Sequence, residues 1–276
     1  MCVTGTRKNV AMTTLTPLSP LSVIDALRGD RSSRPAADTT SAAGLRARLE
    51  DGIYEILGDE SPTSPLVVRA SSLRQPSRTT DLSMSALARM RGVLVNQLLR
   101  LLCVGFRPDC TFDNALDAWR GDSGADDLLS QLDRLDDEER ARLATDVTAH
   151  GLALSRALGD VPSRWMPRSA LRASQRLGGG RVILRDVIDL MVGTNGCGSA
   201  TVALFDVTTS PLSEGAERTM RYHALVETLR SSVVPLRTST FSTATGELWT
   251  LDVDHGMLQR SADEVLAVVN DTWSSR

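Results

Sequence analysis

Lysine is nearly missing from this chain: Lys8 is the only one, and the other 30 of its 31 basic residues are arginine. Any chemistry that needs a lysine beyond residue 8 is therefore excluded. Aromatic residues make up only 4%, so a core must be built mainly of Leu, Val and Ala. The four cysteines, Cys2, Cys103, Cys110 and Cys197, form no CxxC pair, which argues against a zinc or iron–sulfur centre. Nothing near the start resembles a secretory signal, and a reduced, cytoplasmic setting is expected. No apolar run reaches the ~18 residues of a membrane-spanning helix, so no membrane partner is expected. A net charge of −3 excludes general basicity. It does not exclude a local basic face, since phosphate binding depends on where the charges sit.

What is present is ordinary for a soluble globular protein, with 41% apolar and 24% charged residues over 276 positions. Residues 1–40 are rich in Thr, Ser, Pro and Ala and read as largely disordered, with one short helix near Leu21–Arg28. The rest, 41–276, reads as one domain, mainly helical over 41–160, then a sheet core and a C-terminal helix over 161–276. Ser41–Leu57 places Leu45, Leu49, Ile53 and Ile56 at helical spacing, with Ser41 as the cap. Pro65–Leu73 reads as an entry strand or a short extended segment, and Ser83–Val104 as an amphipathic helix stopped by Gly105. Helices are expected near Thr111–Arg120, Ala125–Leu132 and Asp136–Leu158. That section is acidic enough to face away from any bound nucleic acid, and its last helix opens on three acids that favour the positive end of the dipole.

From Arg164 the charge changes sign, because Arg164, Arg168, Arg172, Arg176, Arg181 and Arg185 all precede the next acid, Asp186. Alternation over 170–177 puts Arg172, Ser174 and Arg176 on one face of a strand. Two apolar, β-branched runs follow, Val182–Val192 and Ala200–Val207, joined by the turn-rich stretch 193–199. Each run carries a carboxylate where an apolar residue is expected, Asp189 in the first and Asp206 in the second. An acid inside a core strand is costly unless it is paired or binds a metal. Pairing about the turn would bring both within reach of one ion. Glu214–Arg230 then reads as a helix, Leu236–Phe241 and Glu247–Val253 as a hairpin around Thr243–Gly246, and Asp254–Val269 as a closing helix.

This order, with Val187-Ile188-Asp189-Leu190 on one strand and Leu204-Phe205-Asp206-Val207-Thr208 on the next, resembles the PD-(D/E)XK nuclease superfamily, nearest its RecB-type and CRISPR-associated members. The resemblance implies an α/β, restriction-endonuclease-like fold with a central mixed sheet of about five strands flanked by helices. It implies that Asp189 and Asp206 bind Mg²⁺ or Mn²⁺ in an active member. The lysine that follows the second acid in the family is replaced by Thr208. Gly92-Val93-Leu94-Val95-Asn96 matches an upstream Gly-x-x-x-His pattern, with Asn96 in place of His. Tyr222 or His223 takes the place of a tyrosine on the following helix. Arg172, Arg176, Arg181 and Arg185 form a stripe suited to DNA phosphates.

A neutral Thr cannot replace an ammonium that stabilises charge at the nucleophile, a loss on the order of 10² or more in rate. The expectation is therefore a nuclease-fold DNA-binding or scaffolding protein whose cleavage is lost or weak. DNA repair, recombination and antiphage defence are the contexts the family implies, with a helicase or defence-complex subunit as a protein partner. Two other readings stand beside it. One is an active Mg²⁺-dependent deoxyribonuclease using Asp189 and Asp206, and the other a protein-interaction module without nucleic-acid binding.

Overall fold

The structure, a computed structural model, describes residues 23–29, 36–60, 62–74, 86–105, 109–121, 126–194 and 200–275. The first half is helical, with one short strand. It runs α1 (Val23–Arg28), α2 (Ser41–Leu57), β1 (Leu66–Arg69), α3 (Ala70–Arg74), α4 (Ala86–Cys103), α5 (Phe112–Arg120), α6 (Asp126–Leu132) and α7 (Asp137–Leu158). The second half carries the sheet: β2 (Arg168–Leu177), β3 (Val182–Val192), β4 (Ala203–Thr208), α8 (Glu214–Ser231), β5 (Arg237–Ser242), β6 (Leu248–Asp252) and α9 (His255–Ser274). The architecture is α/β, a mixed six-stranded sheet flanked by helices.

Local sequence explains most of these elements. In α2, Leu45, Leu49, Ile53 and Leu57 recur every four residues and are buried together. The expected cap Ser41 lies inside the helix. Asp38 does the capping instead, its Oδ1 accepting from the backbone N–H groups of Thr40 at 2.8 Å and Ser41 at 3.1 Å. Thr111 and Asp136 close capping boxes at the starts of α5 and α7 with Asn114 and Glu139. The short helix expected near residue 21 is α1, and it is not a loose appendage. Val23, Ile24 and Leu27 are buried in the main core. The disorder expected for 1–22 and 30–35, and the turn expected at 195–199, lie outside the described residues.

The sheet has one strand more than the five expected. The strand order is β1-β3-β4-β5-β6, and β2 pairs along β3 off this path. The meander β2-β3-β4 is antiparallel throughout, β5 returns parallel to β4 after α8, and β6 closes antiparallel on β5. The additional strand is β1, within the stretch read as an entry strand or a short extended segment. It pairs parallel with β3 from Leu66↔Val182 to Arg69↔Arg185.

Apolar cores fill both faces. One gathers α1, α4, α5 and α7 against Leu190, Val192, Ala203 and Phe205. The other gathers α2, α8 and α9 against Leu66, Val68, Val182 and Leu184. Side chains two apart on a strand share a face, yet Ile188 and Met191, three apart, pack in one small cluster with Leu171 and Leu204. Strict alternation therefore breaks between them. The break coincides with Ala170 on β2, whose φ of 49° is left-handed. Ala170 lies opposite Asp189, between the pairs Ser169↔Leu190 and Leu171↔Ile188.

Candidate functional site

β3 is the strand on which the site is built. β2 covers one of its edges along almost its whole length. The other edge is shared: β1 takes residues 182–185 and β4 takes residues 190–192. Residues 186–189 therefore sit in a split between two strands. The split holds the acids. Asp206 falls opposite Asp189, one residue beyond the last ladder pair, Leu190↔Phe205.

Asp189 is bound on both oxygens. Its Oδ1 accepts from Asn96 Nδ2 on α4 at 3.0 Å, and its Oδ2 from the Val207 N–H at 2.9 Å. Burial first, and the adjacent Asp206 carboxylate second, push the Asp189 carboxyl well above the ordinary carboxylate range. Two like charges this close disfavour each other's ionisation. The two strand acids and Asn96 do come together.

α8 supplies the other side. The fully buried Tyr222 hydroxyl shares its proton between the carbonyls of Val68 at 2.8 Å and Arg185 at 3.1 Å. It thus ties the end of β1 to β3 at the lip of the split, a structural position. His223, the next residue, turns to the acids. Its Nδ1 lies 2.7 Å from Asp186 Oδ2, and its Nε2 lies 3.8 Å from Asp206 Oδ1. Burial alone would lower the pKa of this ring. The Asp186 carboxylate, helped by Asp206, more than offsets that and raises it to about 10. His223 and not Tyr222 is the α8 residue beside the acids.

Thr208 ends β4 and is used locally: its carbonyl accepts from the Thr243 N–H and Oγ1, and its hydroxyl accepts from the Ser210 N–H at 3.2 Å. No lysine is near, since none exists beyond residue 8.

Beside the acids lies a cleft of about 530 Å³ lined by Arg69, Arg172, Ser174, Arg185, Asp186, Val187, Asp206 and His223, among others. Arg69, Arg172 and Arg185 are exposed, and none makes an ion pair with another described residue. Arg172 and Arg185, two of the four expected arginines, thus reach the cleft. Arg176 is exposed four residues past Arg172 on the same face of β2, beyond the lining. Arg181 is a clasp. Its guanidinium donates to the carbonyls of Gly178, Gly58 and Glu60 and stacks on Tyr54 at 4.3 Å.

Sequence reasoning missed Asp186 and Arg69. Asp186 carries the same signal as Asp189, a carboxylate inside an apolar run. Arg69 carries none, because only the long-range pairing of β1 with β3 brings it beside Arg185.

Among the described residues no group of three His, Cys, Asp or Glu side chains stands ready to hold a metal ion. No helix there is long and apolar enough to cross a membrane. No family model matches the chain, and no curated protein matches it. Among solved structures it is similar to the crystal structure of SSO0001, at 9% identity and a TM-score of 0.32, over 82% of this chain and 85% of that one. So slight a likeness carries no argument.

Proposed function

We propose that the chain is a nucleic-acid-binding protein of PD-(D/E)XK-like fold that grips the phosphate backbone and cuts it weakly or not at all. The observation that carries this reading is the cleft: Arg69, Arg172 and Arg185 line it, and none is ion-paired with another described residue. Uncompensated guanidiniums are suited to phosphate oxygens, which they bind in a bidentate fashion. Val187, 53% exposed beside them, offers an apolar surface to a sugar or base. The element order supports the fold, with a helix before an antiparallel three-strand meander and a helix leading to a parallel fourth strand.

The acidic pair supports the loss of efficient cleavage. Mg²⁺ demands oxygens in near-octahedral array at about 2.0–2.1 Å. Each Asp189 oxygen already accepts a hydrogen bond, from Asn96 and from Val207, and the group facing Asp206 is a histidine nitrogen, a ligand Mg²⁺ does not favour. The set fits Mg²⁺ poorly. An active metal-dependent nuclease is the second reading, favoured by the contact between Asp189 and Asp206 beside a cleft that suits phosphate.

Fluorescence anisotropy with single- and double-stranded DNA, in chelator, tests the binding. The double variant Arg172→Glu/Arg185→Glu should lose at least tenfold in affinity and flatten the dependence on salt by about one to two charges. Unchanged affinity, or none to begin with, sinks the proposal and leaves the protein-interaction reading. Cleavage that needs Mg²⁺ and vanishes in Asp189→Ala would replace it with the second reading.

A further inference from the structure

His223 is 3% exposed, yet its Nε2 has no hydrogen-bond partner. A buried ring nitrogen left this way is uncommon and needs a cause. The other nitrogen is fixed, because Asp186 Oδ2 sits 2.7 Å from Nδ1 and sets the plane of the ring. Nε2 therefore points at Asp206 Oδ1 across 3.8 Å, too far for a hydrogen bond. Both residues line the cleft, so the gap between them lies at its wall.

We propose that His223 Nε2 and Asp206 Oδ1 bind a first-row dication of the Zn²⁺ class, with Asp186 as the carboxylate behind the histidine. Such ions bond imidazole nitrogen at about 2.0–2.1 Å and carboxylate oxygen at about 2.0–2.2 Å, which sets the two donors about 3.4 Å apart in a tetrahedral shell. The observed gap closes to that by a few tenths of an ångström, a small rotation of Asp206. A carboxylate on the far nitrogen of a metal-binding histidine orients the ring and raises its basicity. Asp186 is placed for that role.

Imidazole plus carboxylate suits Zn²⁺, Co²⁺ or Ni²⁺ rather than Mg²⁺. The ion takes the place of a proton on Nε2, and the acids around the ring attract a double charge more strongly than a single one. Two protein donors leave the rest of the shell open. Phosphate oxygens held by Arg172 and Arg185 would fill it, a step that rests on the phosphate-binding reading of the cleft. The metal site itself does not.

The test uses the full chain, freed of metal by chelator and then dialysed. Calorimetric titration should give Co²⁺ and Zn²⁺ affinities at least tenfold above that for Mg²⁺. Asp186→Asn should weaken Co²⁺ binding by about 10- to 100-fold, and His223→Gln should erase the preference over Mg²⁺. Because His223 is buried, a second measurement avoids substitution. In the unaltered protein, saturating Zn²⁺ should shift the side-chain ¹⁵N resonance of His223 Nε2. Equal affinities for Zn²⁺ and Mg²⁺, or an unmoved His223 resonance at saturating Zn²⁺, overturns the proposal. Nucleic-acid binding in chelator is measured separately, so Zn²⁺ binding without DNA binding would fell the cleft reading alone.

Discussion

Asp186 and Asp189 sit three residues apart on one strand, both in an apolar run, and meet opposite surroundings. Asp186 faces an imidazole 2.7 Å away. Asp189 faces another carboxylate, an amide and a backbone N–H. The first partner can carry the opposite charge, whereas the second disfavours the charged form of the acid. Both carboxylates interrupt the same apolar run, but the neighbours decide what each one is. The comparison can be broken by substitution. Asp186→Ala strips the buried ring of its nearest counter-charge, leaving only Asp206 at 3.8 Å, and should cost about 3 kcal/mol or more in denaturant unfolding. Asp189→Asn replaces a carboxyl whose charged form is already disfavoured by burial and by Asp206. It keeps the bond from Asn96 but cannot accept from Val207 N–H on its nitrogen side, so it should cost about 1 kcal/mol, one hydrogen bond. Equal losses would mean that the two acids are not different after all.

Titration sharpens the same contrast. His223 has its pKa raised from 6.5 to about 10 by Asp186 and Asp206 against the pull of burial. Between those values the folded protein binds more protons than the unfolded chain, so stability falls as pH rises. The contribution is whole below pH 6.5 and is lost through about pH 10. Asp189 acts with the same sign from lower pH, since its carboxyl is also raised. The melting temperature should therefore decline from pH 6.5 towards pH 10 in the parent protein. His223→Gln should show a shallower decline. Parallel curves for the two proteins would remove His223 from the account.

These two acids also show how far the sequence could be read. β3 was legible to the residue, Val182–Val192, because β-branched apolar runs bounded by glycines signal strands locally. The α2 boundaries, Ser41–Leu57, followed from fourfold spacing in the same way. The contact of Asp189 with Asp206 was legible because a hairpin register needs only a short connection. What was hidden depends on distant pairing. β1 is four residues long, and nothing in Leu66–Arg69 says that it will run beside Val182–Arg185 and open a split there. Without the split, Asp186 reads as one more acid and Arg69 as a surface charge. Tyr222 and His223 could not be separated either. Their roles rest on which of two adjacent helix positions faces β1 and which faces the acids.

The smallest expected effect concerns the backbone opposite Asp189 and has no counterpart opposite Asp186, whose partner Ala173 is an ordinary buried strand residue. Ala170 holds φ at 49°, where an L-residue with a Cβ pays roughly 1–2 kcal/mol. Glycine removes that strain but gives the unfolded chain about 0.5–1 kcal/mol of added freedom. Ala170→Gly should therefore stabilise by about 0.5 kcal/mol, seen as a higher denaturant midpoint at unchanged slope. Ala170→Val, branched at Cβ and forced into the same conformation, should destabilise by more than glycine gains. The pair of variants asks whether the fold imposes the left-handed residue on β2. If valine is tolerated and glycine destabilises, the conformation is not imposed, and the break in alternation beside Asp189 arises from β3 itself.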